Sequence, residues 1–242
     1  MLRCKSSLIG FSHRIGNQNH QSYFNSLFEK YRKRLKKIDY ILKYNEVDVD
    51  LSPDEQEEQA LPGFSKYMNT GYYKYMLGRY IYSIKYVKNK CVLDTGCGFG
   101  WGSYLISDYP RKIVSIDIND NALNFAREKW NDKKLNFLRH SVLDLDSLDG
   151  NFDVILGFEL IEHLSFSAGK RYLEQVFNNL NKKGIVILSS LFPDSEKEAK
   201  MAEKRNKYHL KIFTKSEIKA IVREIGFRRI NFIGNVVAVI KK

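Results

Sequence analysis

The sequence predicts an α/β protein: a largely parallel sheet that closes with an antiparallel C-terminal strand, preceded by N-terminal helices. Three features point there. After Lys90, short apolar runs alternate with helical patterns. A glycine-rich segment, Gly96-Cys97-Gly98-Phe99-Gly100, joins the first such run to the first helical pattern. Gly234-Asn235 separates the last two apolar runs, which is a hairpin signal.

Residues 1–19 are polar and mixed, with no periodic pattern. From Ser22, Phe24, Leu27, Phe28, Tyr31, Leu35, Ile38 and Leu42 recur at three- and four-residue steps and fall on one helical stripe. The opposite face carries Lys30, Arg32, Lys33, Arg34, Lys36 and Lys37. Two readings fit: a helix that packs its stripe and solvates its charges, or a membrane-surface or nucleic-acid helix. Residues 45–63 form a connector. There Ser52 and Glu55 make a capping box with Pro53 at the first helical position, the acidic run Asp54 to Glu58 suits a helix N-terminus, and Pro62-Gly63 stops that helix. Residues 64–88 read as helix with seven tyrosines: Tyr67, Tyr72, Tyr73, Tyr75, Tyr80, Tyr82 and Tyr86. Such a cluster suits a pocket wall or an amphipathic helix buried under a sheet.

The strands then read as Cys91–Asp94, Lys112–Ile116, Leu135–Leu138, Phe152–Leu156, Ile185–Leu191, Phe227–Ile233 and Val236–Ile240. The helices read as Trp101–Asp108, Asp120–Trp130, Lys170–Leu180 and Lys215–Ile225, the last capped by Gly226. The stretch 192–214 is a polar insert of lid size.

The chain has 242 residues, 43% of them hydrophobic, which excludes wholesale disorder. Its net charge of +12 favours anionic partners: phosphorylated small molecules, nucleic acid or acidic membrane. A merely solvated basic surface is the competing account. Cys4, Cys91 and Cys97 form no CxxC pair, so no disulfide framework or zinc site is expected, and a reducing compartment fits. The first eleven residues make a poor signal peptide, and no run approaches the roughly 20 apolar residues of a membrane span. A cytoplasmic protein without stable membrane insertion is expected.

The glycine segment limits the ligand. A dinucleotide loop would read G-x-G-x-x-G, yet counting from Gly96 the last position holds Trp101, and counting from Gly98 it holds Ser103. The pattern Asp94-x-Gly96-x-Gly98-x-Gly100 fits D-x-G-x-G-x-G as it stands. It resembles the first motif of class I S-adenosylmethionine-dependent methyltransferases. Asp117 at the end of the second strand, Phe152-Asp153-Val154-Ile155-Leu156-Gly157-Phe158-Glu159, and the turn Glu159-Leu160-Ile161-Glu162-His163-Leu164 resemble the later motifs in the same order.

The resemblance covers residues 64–242, implying a methyltransferase domain there and a helical extension and connector at 1–63. It implies a Rossmann-like sheet and the cofactor S-adenosylmethionine. Gly96, Gly98 and Gly100 are expected against the methionine part, with Asp94 at the loop's start. Asp117 is expected on the ribose and Ile118 on adenine. Val142 is expected to offer a backbone N–H, and Phe158 to line the site. Ser141 stands where the family often has an acid that accepts from the adenine amine. Arg79 is read as a surface arginine or as a partner of the cofactor carboxylate.

Glu159, Glu162 and His163 stand at i, i+3 and i+4, so a helical turn would give them one face. Two carboxylates and an imidazole, with His209 from the insert, suit Mg²⁺ or Mn²⁺. The set resembles the metal site of small-RNA 3′-terminal 2′-O-methyltransferases and of ubiquinone-pathway catechol O-methyltransferases. The metal-free alternative leaves His163 as general base, with His209 nearby. The stretch from Pro62 through Leu105 and the Tyr208-His209-Leu210 insert resemble sugar- and polysaccharide-modifying methyltransferases. The expected activity is O-methylation of a sugar, a nucleotide sugar or a similar small hydroxylated molecule, phosphorylated or not. The alternatives are an RNA 2′-O-methyltransferase and a non-catalytic binding protein on the same fold. The oligomeric state is not legible.

Overall fold

A computed structural model describes residues 71–242, with side chains from Met76 onward. Ser83–Lys242 forms one compact unit, divided from the residues up to Tyr82. The expected boundary between 63 and 64, the helix from Ser22, the capping box at Ser52, and the side chains of Tyr67, Tyr72, Tyr73 and Tyr75 lie outside what is described. Helix α1, Gly71–Val87, falls within the helix expected at 64–88.

From Cys91 the chain alternates strand and helix: β1 (Cys91–Thr95), α2 (Trp101–Ile106), β2 (Lys112–Asp117), α3 (Asp120–Lys129), β3 (Leu135–Arg139), β4 (Phe152–Phe158), α4 (Phe166–Asn179), β5 (Leu180–Ser189). It ends with α5 (Glu196–Glu203), α6 (Lys215–Ile225), β6 (Arg229–Ile233) and β7 (Val237–Lys241). The seven strands lie in the order β3-β2-β1-β4-β5-β7-β6. β1 to β5 pair in parallel; β7 pairs antiparallel with both β5 and β6. The expected α/β class and antiparallel closure are present, with β7 lying between β5 and β6.

The inner strands carry Val92, Leu93, Ile113, Ile116, Val154, Ile155, Leu156, Val186, Ile187 and Leu188, all buried, as a parallel sheet covered on both faces requires. The chain runs outward from β1 to β3, then returns to place β4 on the other side of β1. At that reversal the connections leaving β1 and β4 diverge, which opens a crevice at the strands' carboxyl ends.

Four local readings change. Helix α4 starts at Phe166 rather than Lys170: Ser165 caps it by accepting the Ala168 N–H at 3.3 Å. Gly169 masked that start by weakening the pattern, yet it is required, since a Cβ there would lie 2.5 Å from the Phe213 ring. Strand β5 begins at Leu180, paired with Phe152, before the register jumps to Ile185 opposite Val154. The polar insert contains helix α5, whose apolar side is no more than Ala199 and Ala202 against Ile212. Glu159, Glu162 and His163 do not share an α-helical face: only Ile161–His163 form a 3-10 turn, and Glu159 precedes it with φ at 50°.

Candidate active site

The glycine loop leaves β1 at the crevice. Gly96, Gly98 and Gly100 have φ of 68°, 51° and 71°, a left-handed backbone that glycine adopts without cost. Their surroundings differ. Nothing lies within 4 Å of a Cβ built on Gly98, so that position faces open space. A Cβ on Gly100 would meet Phe137 at 2.5 Å and the Ala126 Cβ at 2.9 Å, so its bareness also serves packing. A Cβ on Gly96 would touch Leu160 at 3.0 Å. The glycine loop is thus packed against the residue that opens the Glu162-His163 turn.

The loop is braced from below. Buried Asp94 accepts from the Ser103 hydroxyl at 2.5 Å, and Ser103 is 2.8 Å from the Ser115 hydroxyl. Ser103 has one proton, spent on Asp94, so Ser115 donates to Ser103. Thr95 donates to the Leu156 carbonyl at 2.7 Å, and the Tyr172 phenol donates to Thr95 at 2.7 Å. Burial pushes the Tyr172 pKa up, so the phenol keeps its proton. Gly157 makes room for it, since a Cβ would collide with the phenol oxygen. The Trp130 indole donates to the Phe99 carbonyl at 2.6 Å and fixes the loop's outer half. Burial, then the negative charges of Asp94 and Asp117, push the Cys97 thiol well above its usual value. It is therefore an uncharged packing group.

Asp117 ends β2 beside this loop. Its two oxygens accept from Gly98 N–H at 2.7 Å and Asn119 N–H at 2.9 Å. A carboxylate offers about four lone-pair sites. Two remain for a ligand's hydroxyls. Ile118 follows, 68% exposed, an apolar surface beside that carboxylate. Ser141 is exposed beyond β3, where its hydroxyl accepts from Leu143 N–H at 3.2 Å. Val142 is buried next to it, and Phe158 is buried at the end of β4. Arg79 lies on α1 before Tyr82 and is 8% exposed, which corrects its reading as a surface arginine. The hydrophobic positions of an amphipathic helix are what sequence reads best; a buried guanidinium carries no such signature.

Beyond β4, among the described residues, a carboxylate oxygen of Glu162 and ring nitrogens of His163 and His209 all lie within 4.8 Å of one another. The insert delivers His209: the Leu210 and Lys211 N–H groups donate to the Glu162 carbonyl at 2.8 and 3.2 Å. The two imidazoles meet edge to face with ring centres 5.4 Å apart. Burial, then His163, push the His209 pKa down, while Glu159 pulls it up. His209 is therefore neutral at pH 7. Its Nε2 lies 3.0 Å from the Asn206 amide nitrogen. Glu159 stands outside the group of three. Its Oε1 accepts from the Ser189 hydroxyl at 2.8 Å, and its backbone N–H donates to Ser189 at 2.9 Å.

The donor set is one carboxylate and two imidazoles rather than two carboxylates with imidazole support. That composition fits a first-row divalent ion such as Mn²⁺ better than Mg²⁺. Asn206, Ser189, Tyr172 and Trp130 were not legible as site residues. Each is a single polar or aromatic residue whose partner is remote in sequence.

The profile of a methyltransferase domain matches residues 87–226, more than half of the 242. The chain belongs to the S-adenosylmethionine-dependent methyltransferases. The family's cofactor is S-adenosylmethionine, and the open side of Gly98, the Asp117 carboxylate and exposed Ile118 fit its methionine, ribose and adenine parts. Among methyltransferases of known sequence, a probable S-adenosylmethionine-dependent enzyme of Mycolicibacterium smegmatis is 27% identical over 99 residues, covering 41% of this chain and 37% of the relative. Phosphoethanolamine N-methyltransferase of Plasmodium falciparum is 27% identical over 149 residues, covering 59% of this chain and 55% of the relative. The chain thus spans between about a third and just over half the length of these relatives. A methyltransferase crystal structure from Archaeoglobus fulgidus shares the fold, with TM-score 0.59, 19% identity, and coverage of 70% of this chain and 94% of that one. Among the described residues no helix is long and apolar enough to cross a membrane.

Proposed function

We propose that this protein transfers a methyl group from S-adenosylmethionine to a hydroxyl oxygen of a sugar, nucleotide sugar or similar small hydroxylated molecule. The observation that carries the reading is the meeting of two elements. The glycine loop packs through Gly96 on Leu160, and the turn Leu160 opens brings Glu162 and His163 to within 4.8 Å of His209. Cofactor loop and acid-base cluster therefore share one crevice.

The cofactor supplies an electrophilic methyl group on a sulfonium. Asp117 holds the ribose, and Gly98 lets the backbone approach the methionine part. Ser141 and Val142 border the adenine end, Phe158 lines the site from the end of β4 on the other side of β1, and Asp94 braces the loop from beneath. An alcohol is a weak nucleophile, so the acceptor needs its proton removed as the bond forms. His163 is the candidate base. Neutral His209 stands beside it, and Glu162 offers a negative charge for the imidazolium that results. The same three residues would hold a divalent ion, Mn²⁺ before Mg²⁺, with Glu159 joining only on release from Ser189. Such an ion lowers the pKa of a hydroxyl and fixes neighbouring oxygens. The N-methyltransferase relative keeps an amine acceptor as the second reading.

The test is methyl transfer from labelled cofactor to a panel of hydroxylated acceptors, with product NMR locating the methyl. Methyl on oxygen, with turnover lost in EDTA and restored by Mn²⁺, supports both parts. Full activity in EDTA removes the ion and leaves His163 as base; methyl on nitrogen or carbon overturns the reading. An RNA 2′-O-methyltransferase would instead show a steep loss with salt.

A further inference from the structure

We propose that the carboxyl edge of the sheet, with the basic face of α5 beside it, docks on an anionic phospholipid bilayer. Topology gathers the exposed apolar residues there. Ile233, Val237, Ser189 and Phe158 lie in one row across β6, β7, β5 and β4. Because β6 runs parallel to β5, Ile233 emerges at the same edge as the active crevice. Leu191 follows β5 by two residues, Phe166 begins the helix after β4, and Met201 and Leu210 belong to the insert that leaves β5. Ile118 after β2 is set aside for the cofactor's adenine; the other exposed large apolar side chains among the described residues all leave this one edge. Met201 and Leu210 are 51% and 63% exposed. Packing ties these segments together: Phe166 stacks on Phe213 at 5.8 Å, and Ile212 joins Ala199 and Ala202 under α5.

Charge selects the occupant. Lys197, Lys200, Met201 and Lys204 are exposed and recur at i, i+3, i+4 and i+7, so they share the face of α5 opposite Ala199 and Ala202. Arg205 and Lys207 extend it. Of the nearby acids, Glu203 accepts from Ile212 N–H at 2.9 Å and lies 3.9 Å from Lys211, and Asp194 pairs with Lys215 at 3.0 Å, while Glu196 and Glu198 are exposed in the first turn of α5 and the cations gather toward its C-terminal end. The helix dipole accounts for basic residues at the C-terminal end of α5, but not for a half-exposed methionine among them. Cations around protruding apolar side chains suit phosphate headgroups over acyl chains. Nucleic acid would use the cations and leave the apolar residues without a role.

The test is flotation of the full-length protein with vesicles of phosphatidylcholine alone and with phosphatidylglycerol added. The wild type should partition only onto the anionic vesicles. Lys200→Gln with Lys204→Gln should weaken partition roughly thirtyfold, about fivefold per basic residue. Met201→Asp with Leu210→Asp should weaken it at least as much. Cofactor calorimetry on the same samples reports folding and the methyltransferase reading separately, since vesicle binding requires no turnover. Wild-type partition unaffected by either pair overturns the proposal. So does retention of single-stranded RNA without vesicle binding, or a dimer in sedimentation that Met201→Asp dissolves.

Discussion

Alanine at Gly98 and at Gly100 should damage different things. Both residues are left-handed, with φ of 51° and 71°, and an alanine there costs roughly 1–2 kcal/mol. At Gly98 that is the whole folding cost, because nothing lies within 4 Å of the new methyl. At Gly100 the methyl would lie 2.5 Å from the Phe137 ring and 2.9 Å from the Ala126 Cβ. Both neighbours are buried, so overpacking adds about 1–3 kcal/mol. Urea unfolding followed by tryptophan fluorescence should therefore rank Gly100→Ala below Gly98→Ala in stability. Calorimetric titration should rank them in reverse for the cofactor. The Gly98 methyl occupies the approach of the methionine part and should weaken binding roughly tenfold or more, at least about 1.4 kcal/mol. If Gly98→Ala binds the cofactor like the wild type, or is the less stable of the two, the assignment of open and packed sides is wrong.

Two further outcomes follow from the brace and the caps. Tyr172→Phe removes the phenol that donates to Thr95 while Thr95 keeps its bond to Leu156, so urea unfolding should show a loss of about 0.5–1.5 kcal/mol. Glu217 is partly buried, which alone would raise its pKa, yet the Thr214 N–H and Lys211 hold its carboxyl below the usual range. Its folded value is lowered, so its contribution is present above the unfolded carboxylate pKa of about 4.3 and is lost as pH falls through the folded value. Stability against pH for Glu217→Gln should show a flatter decline in that acid window than the wild type.

Much of this was legible because it rests on local rules. Strand-helix alternation after Lys90 gave the sheet, Gly234-Asn235 gave the antiparallel closure, and Gly226 caps α6 at its C-terminus as the sequence suggests. The glycine pattern was readable because a left-handed backbone restricts residue type at Gly96, Gly98 and Gly100. The rest depends on contacts between distant segments. That Gly100 packs on Phe137, that Glu159 is tied to Ser189, and that Leu210 and Lys211 bond the Glu162 carbonyl are facts of tertiary geometry. The i, i+3, i+4 spacing of Glu159, Glu162 and His163 suggested a helical face, but a left-handed residue and a single 3-10 turn occupy that stretch. α5 escaped because two buried alanines make a weak stripe.

The most direct test of the central claim, that the glycine loop and Asp117 form a working S-adenosylmethionine site, is calorimetric titration of the wild type and Asp117→Ala. The wild type should bind the cofactor one to one. Asp117→Ala should bind it more weakly by roughly 1.5–3 kcal/mol, the worth of hydrogen bonds to a charged group. No heat with S-adenosylmethionine, together with binding of NAD, would contradict the account.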